Sequence, residues 1–378
     1  MITFKVFGLG AFGTDALGKG ITGGQALFGE KLSEQIALQY PVTLYQFHLN
    51  DKITFEKRGN LTVIRFPVPF DFDSAKTLSN NIDYLKNIVQ KHISFQEILY
   101  DHIVTIYWIT PYLLNLWDLP NKLKWYHVFA STGLQQITTN PSKNQVDRVR
   151  IEKRIIKEVH WCWASSDFEK QHLIKDYNAN KSKVKILGRG IDFWPSNSKL
   201  FNKNCDLLFL GRLDQRKGIY SIPKILMHLK LRVKINIIGG HREDCNALAS
   251  HYKKHYPKIF LDHCIEIKPS IAHQEALIMI QSTRLLLIPS IYDNYPNVGL
   301  EALSLGVPIV GADVGGVRDM VESGKNGFLY KPNDFESAAD FIRSILDNPK
   351  WRLPVLSHRL RSWEMVAKSF FDEIRLNE

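Results

Sequence analysis

Short apolar runs alternate along the chain with longer segments whose apolar positions recur at helical spacing. That alternation predicts α/β architecture with parallel sheets. Thr3 to Phe7 reads as a first strand, followed by a glycine-rich loop. Gln25 to Gln39 then carries Ala26, Leu27, Leu32 and Ile36 on one helical face before Pro41 and a second strand, Val42 to Phe47. Further strands are expected at Leu61 to Phe66, His102 to Tyr107, Trp125 to Phe129, Val159 to Ala164 and Val184 to Leu187. Together they make one doubly wound domain.

The series breaks after Gly190-Ile191-Asp192, where Pro195, Ser196, Asn197 and Ser198 read as a polar linker. A second series follows, with strands expected at Cys205 to Leu210, Val233 to Ile238, Ile265 to Lys268, Leu285 to Ile288 and Ile309 to Gly311. A last helix, from about Ser362 to Ile374, has no strand after it and is free to pack back on the first domain. The chain has 378 residues, and single cores stop growing near roughly 250 to 300 residues, so two domains are expected. The division is 1–193, 194–358 and a C-terminal helix in 359–378. Two such domains leave a cleft at the carboxyl ends of their sheets, where α/β folds bind ligands.

Composition narrows the class. Apolar residues make up 44% and charged residues 23% of the chain, without low-complexity tracts or sustained heptads, which is the make-up of a packed globular protein. The stretch Ile103 to Trp117 lacks charge but is interrupted by Pro111 and Asn115, and it falls short of the roughly 20 apolar residues of a membrane span. It reads as a buried strand and a helix. The start, Met-Ile-Thr-Phe-Lys-Val-Phe, has no basic segment ahead of an apolar run, which predicts a cytoplasmic protein. Cys162, Cys205, Cys245 and Cys264 are scattered without metal or redox spacing, so isolated thiols are expected. The net charge of +11 implies an anionic partner. Basic residues crowd 143–203, but acidic residues interrupt them and aromatics do not interleave, so nucleic acid is not expected. A solvated helix face is the plainer reading; contact with the inner face of a membrane or a lipid phosphate is the other.

Two segments carry chemistry. Leu208-Phe209-Leu210-Gly211-Arg212-Leu213-Asp214-Gln215-Arg216-Lys217-Gly218 is a strand entering a glycine turn with two cations, Arg212 and Lys217, and a helix is expected to begin near Gly218. A guanidinium fork, an ammonium and a helix end together suit a diphosphate. The second segment runs Ile288-Pro289-Ser290-Ile291-Tyr292-Asp293-Asn294-Tyr295-Pro296-Asn297-Val298-Gly299-Leu300-Glu301. Its helix starts near Asn297, so the N–H groups about Asn297 and Val298 face a phosphate, while Asp293 suits sugar hydroxyls and Glu301 ribose hydroxyls. A base would lie near Ile267 and Lys268. Gly315-Gly316 and Gly324 to Gly327 read as turns.

These blocks resemble glycosyltransferase family 4, a family of retaining GT-B enzymes, with Asp293 where the family motif has its first Glu and Glu301 at the second. The Asp-Asn-Tyr-Pro-Asn version is similar to members that build surface polysaccharides. Ile21-Thr22-Gly23-Gly24-Gln25 is similar to the turn of sucrose-phosphate-synthase relatives, which implies that Gly23 and Gly24 let backbone approach the diphosphate. Arg150 to Ile155, Lys185 to Asp192 and Trp363 to Ala367 also follow the family's order. One departure is Ala130, where a strand-end histidine that contacts the donor sugar is usual; His127 lies three residues earlier and would replace it only in a shifted register.

The resemblance implies a GT-B fold and transfer of a sugar from a nucleoside-diphosphate sugar, a UDP-sugar ahead of a GDP-sugar, to a hydroxyl acceptor. Polysaccharide, lipopolysaccharide or glycolipid synthesis is the expected setting, with a lipid-linked or free saccharide as acceptor and neither resident cofactor nor metal. Arg212, Lys217 and Asp293 carry the catalysis in that reading. The alternative is a catalytically silent homologue that binds a nucleotide sugar as a partner subunit. A phosphorylase would need a pyridoxal-phosphate lysine motif, which is not evident. Gly8-Leu9-Gly10-Ala11-Phe12-Gly13 has dinucleotide-fingerprint spacing, but further glycines postpone its helix and no strand ends in an acid at the required distance. His251 and His255 share a helical face without a third ligand and read as surface histidines.

Overall fold

The computed structural model describes residues 2–12, 24–70, 80–94, 102–118, 124–137, 143–192, 204–348, 351 and 360–375. They form two compact units, one containing the described residues up to Gly190 together with the segment from Trp363 onward, the other Ile191–Ser362. The linker expected at Pro195 to Ser198 lies outside the described residues.

The first unit holds β1 (Phe4–Phe12), β2 (Val42–His48), β3 (Thr54–Arg58), β4 (Leu61–Pro67), β5 (His102–Ile106), β6 (Lys124–Val128), β7 (Trp161–Ala164) and β8 (Val184–Ile186). They lie in the order β3-β4-β2-β1-β5-β6-β7-β8. All neighbours are parallel except β3, which runs antiparallel along β4 at the sheet edge. The apolar runs mark the parallel strands because these are covered on both faces. β3 escapes that signal: Thr-Phe-Glu-Lys-Arg is half exposed, and its charge is tied down by Arg58–Glu56 at 2.5 Å and Arg65–Glu56 at 3.0 Å. Charge on an edge strand also discourages pairing with other chains. Of the glycine fingerprint, Gly8 to Phe12 lies in β1, whose pairing with β2 is irregular between Phe7 and Phe12, and Gly13 lies outside the described residues.

The helix Trp363–Arg375 closes this unit. Trp363, Val366, Ala367, Phe370, Phe371 and Ile374 form its apolar stripe and join the core of Phe4, Val104 and Trp163. Phe370 stands 5.6 Å from the Trp163 ring and 6.0 Å from those of Phe4 and Tyr126. Gly190 admits the helix: a Cβ there would sit 2.4 Å from the Trp363 ring.

The second unit is an all-parallel sheet of β9 (Cys205–Leu210), β10 (Lys234–Ile238), β11 (Cys264–Lys268), β12 (Thr283–Ile288), β13 (Ile309–Ala312) and β14 (Gly327–Tyr330). Their order is β11-β10-β9-β12-β13-β14. Alternate residues go to opposite faces. Leu207, Phe209, Leu285 and Leu287 enter one core, while Leu208, Leu286 and Ile288 enter the other. β14 corrects the reading of Gly324 to Gly327 as a turn alone. Gly324 N–H does close a turn on the Gly327 carbonyl at 2.9 Å, but Gly327 then opens a four-residue strand paired with β13, too short to show a period.

Candidate nucleotide-sugar site

The carboxyl edge of the second sheet has a built-in crevice. From β9 the chain proceeds outward to β10 and β11, whereas from β12 it proceeds the opposite way to β13 and β14. Loops leaving β9 and β12 therefore diverge, and such a switch point is where open α/β sheets hold ligands. Both chemistry-bearing segments are these two loops.

After β9, Asp214 caps a short 3-10 turn, Gln215–Lys217, by accepting the Lys217 N–H at 2.9 Å. Gly218 ends that turn with φ 74°, and a Cβ there would lie 1.7 Å from the Pro289 carbonyl oxygen, so only glycine lets the two loops touch. This corrects the expectation of a helix near Gly218. The next helix is Ile222–His228, which begins only after the left-handed Gly218 and the turn that follows it. The turn instead presents side chains. The Ile291 N–H donates to the Arg216 carbonyl at 2.9 Å, and Lys217 Nζ reaches Asp293 Oδ2 at 2.6 Å.

Asp293 is 6% exposed and takes a second, longer bond from Ser290 Oγ at 3.3 Å. Burial by itself would raise its carboxyl pKa. The charges of Lys217 and Arg216, with the bonds from Lys217 and Ser290, outweigh burial and hold it below the ordinary carboxylate value. Its carbonyl accepts the Gly316 N–H at 3.0 Å, so the Gly315-Gly316 turn after β13 braces the loop from the other side.

The helix Asn297–Ser304 follows, with no side-chain cap at its N-terminus. Gly299 lets it press onto the next segment, since a Cβ would fall 2.5 Å from Met320 Sδ. Glu301 is 7% exposed, and its Oε1 lies 2.9 Å from His273 Nε2. The Glu301 hydrogen bond is the main influence raising the pKa of His273; burial opposes it and Asp192 assists. His273, first residue of the helix His273–Gln281, escaped the sequence reading because 28 residues separate it from Glu301 and no motif spacing links them.

Other expected contributors are less closely joined. Arg212 is 61% exposed and pairs with Asp214 at 3.3 Å, so the structure brings Lys217 to Asp293 but leaves Arg212 facing solvent beside them. Ile267 lies on outer strand β11, separated from β9 by β10, and its side chain packs on the sheet core. Neighbouring Lys268 pairs with Glu266 at 2.6 Å. Gly23 lies outside the described residues, and Gly24 is the first residue of the helix Gly24–Ala37.

In the first unit, β6 carries His127 through the sheet interior. Its Nδ1 is 2.8 Å from Thr105 Oγ1, its ring meets Phe129 edge-on at 4.6 Å, and complete burial pushes its pKa down to about 3. Although it is the penultimate residue of β6, this fully buried, neutral histidine faces the core and does not take the place of a strand-end residue open to a ligand. Ala130, at the strand end, has φ 59°. The backbone beyond it is held by a group the sequence reading did not connect: fully buried Glu152 accepts from the Gly133 N–H at 2.9 Å, from Arg148 Nε at 2.7 Å and from the Tyr177 hydroxyl, while Arg148 donates to the Ser131 carbonyl at 2.7 Å. Three of the cysteines are buried and Cys264 is exposed, all as free thiols. The His251 and His255 rings are 4.6 Å apart, and no group of three or more metal-ligating side chains occurs among the described residues.

Both sheets define a GT-B fold of Rossmann-like units. Residues 191–360, which span the second unit, match the family described as Glycosyl transferases group 1. Over 315 residues the chain is 24% identical to a D-inositol 3-phosphate glycosyltransferase of Nocardioides sp., covering 73% of this chain and 67% of that one. Among solved structures it is similar to sucrose-phosphate synthase from Thermosynechococcus elongatus, with TM-score 0.78, 18% identity and 100% and 99% of the two chains covered. It is also similar to Anabaena HepE in complex with UDP and glucose, with TM-score 0.71, 14% identity and full coverage of both chains. No helix among the described residues is long and apolar enough to cross a membrane.

Proposed function

We propose that the protein is a retaining glycosyltransferase that moves a sugar from a nucleoside-diphosphate sugar, a UDP-sugar ahead of a GDP-sugar, to a hydroxyl of a saccharide or glycolipid acceptor. The observation that carries this reading is the Lys217–Asp293 pair across the β9/β12 switch point, with Glu301 behind it on the next helix. A diphosphate needs positive charge and N–H donors, and the sugars on either side of it need fixed acceptors. Lys217, Arg212 and the helix N-terminus at Asn297 and Val298 supply the first; Asp293 and Glu301 supply the second. The base lies toward β11, beside Ile267.

As the anomeric C–O bond to phosphate breaks, negative charge grows on the leaving oxygen, and preorganised cations stabilise it there. Lys217 is held in place for this by Asp293. The acceptor oxygen forms its bond on the face that the phosphate leaves, and the phosphate oxygen takes the acceptor's proton. Retention follows without a carboxylate nucleophile. Asp293 meanwhile holds the hydroxyls of the transferred sugar. The basic charge supports a phosphorylated or membrane-borne acceptor at the inner face of a membrane.

A panel of nucleotide sugars screened by thermal shift tests this reading. A true donor at about 100 times its Kd stabilises the protein by about 2.7 kcal/mol. Arg212→Ala and Glu301→Ala are expected to weaken that donor and lower its turnover. If both variants bind and transfer as the parent does, the site assignment is wrong.

A further inference from the structure

Glu301 has two carboxylate oxygens and one partner among the described residues. Its Oε1 is bonded to His273 Nε2 at 2.9 Å, while Oε2 receives no bond from a described residue and is not sealed from solvent. His273 stands where it can hold this bond before any ligand arrives. It is anchored at the start of the helix His273–Gln281, whose preceding N–H, that of Ala272, is fixed by Glu275 at 3.2 Å. Glu301 itself is 7% exposed, on a helix whose neighbouring Leu300, Ala302 and Leu303 are also buried.

We infer that His273 is a positioning residue for the nucleotide's ribose: it pins one oxygen of Glu301 and leaves the other as a single, fixed acceptor for a ribose hydroxyl. The inference rests on the proposed binding of a nucleoside diphosphate at this sheet edge. A glutamate free to rotate loses side-chain entropy when a ligand immobilises it and offers either oxygen in several directions. Held by the imidazole, it has paid that cost in folding. A nearly buried acceptor aimed at a hydroxyl also rejects an analogue without that hydroxyl, because the carboxylate oxygen is then left unpaired. Discrimination at the ribose, and not affinity for the diphosphate, is therefore what His273 controls.

Binding of UDP, 2′-deoxy-UDP and 3′-deoxy-UDP to the full chain, measured by calorimetry at one pH, isolates this effect. All three carry the same phosphates, so phosphate titration cancels in the ratios. The parent is expected to bind at least one deoxy analogue about 10-fold or more weakly than UDP, as for loss of a hydrogen bond to a charged acceptor. His273→Ala lowers that ratio to about 3-fold or less, and His273→Gln, which keeps a donor near the Nε2 position, restores most of it. An unchanged ratio in His273→Ala overturns the inference. So does tighter UDP binding in that variant, which would mean that the histidine competes with ribose for Glu301. Failure of the parent to bind UDP, or indifference of UDP binding to Glu301→Ala, counts against the proposed site itself and removes the inference with it.

Discussion

Replacing Lys217 by Met removes the cation from the switch point while keeping most of the apolar stem. Asp293 is then left with a side chain 8% exposed and without its nearest counter-charge. Breaking a buried pair by deleting one partner costs about 3–5 kcal/mol. Here Lys217 is itself 19% exposed and Ser290 remains bonded to Asp293, so about 2–4 kcal/mol is expected at neutral pH. For a unit of this size that lowers Tm by about 4–16 °C.

The pH dependence separates this cause from a packing defect. In the parent, Asp293 has a folded pKa below its unfolded value, so its pairing contributes stability above the unfolded value that is lost as pH falls through the lowered pKa. Without Lys217, burial becomes the dominant influence and the folded pKa rises above the unfolded one. The folded state then binds a proton more readily than the unfolded state, and the deficit shrinks as pH falls. Thermal melts of the parent, Lys217→Met, Asp293→Asn and the double variant at about pH 7.5 and about pH 5 test this. Lys217→Met should be worst at the higher pH, and adding Asp293→Asn should recover half or more of its loss. A deficit that is equal at both pH values and persists in the double variant would refute the electrostatic account.

Gly218→Ala should cost about 2–4 kcal/mol, because it combines a left-handed backbone with a Cβ 1.7 Å from the Pro289 oxygen; a melt within about 1 °C of the parent would show that the two loops do not touch as described. Glu152→Gln should cost about 3–5 kcal/mol by leaving the Arg148 charge buried and unpaired in the first unit. Urea unfolding followed by tryptophan fluorescence measures it, and Arg148→Met added to Glu152→Gln should restore part of the loss; a penalty that grows in the double variant would mean that the pair matters for shape and not for charge.

Much of the fold was legible along the chain because parallel strands are buried on both faces and leave apolar runs, such as Leu207-Leu208-Phe209-Leu210. The stripe of Trp363, Val366, Phe370 and Ile374 likewise announced a closing helix. What escaped was short or exposed. β3 has no apolar period because it lies at an edge, and β14 is too brief to display one. The helix expected at Gly218 failed for a local reason: Asp214 closes a turn on Lys217, and the left-handed glycine after it ends the turn where a helix was expected to begin.

The sequence by itself determined the alternation of strands and helices and the residue types at the site: cations after β9, carboxylates after β12 and at Glu301. These are local properties of side-chain period and chemistry. Only the tertiary structure decided which of them meet. Strand order places the β9 and β12 loops side by side, so Lys217 finds Asp293 while Arg212 remains in solvent. It also brings His273 to Glu301 and seals His127 inside a strand. Those pairings depend on how layers pack across long separations in sequence, and no local spacing encodes them.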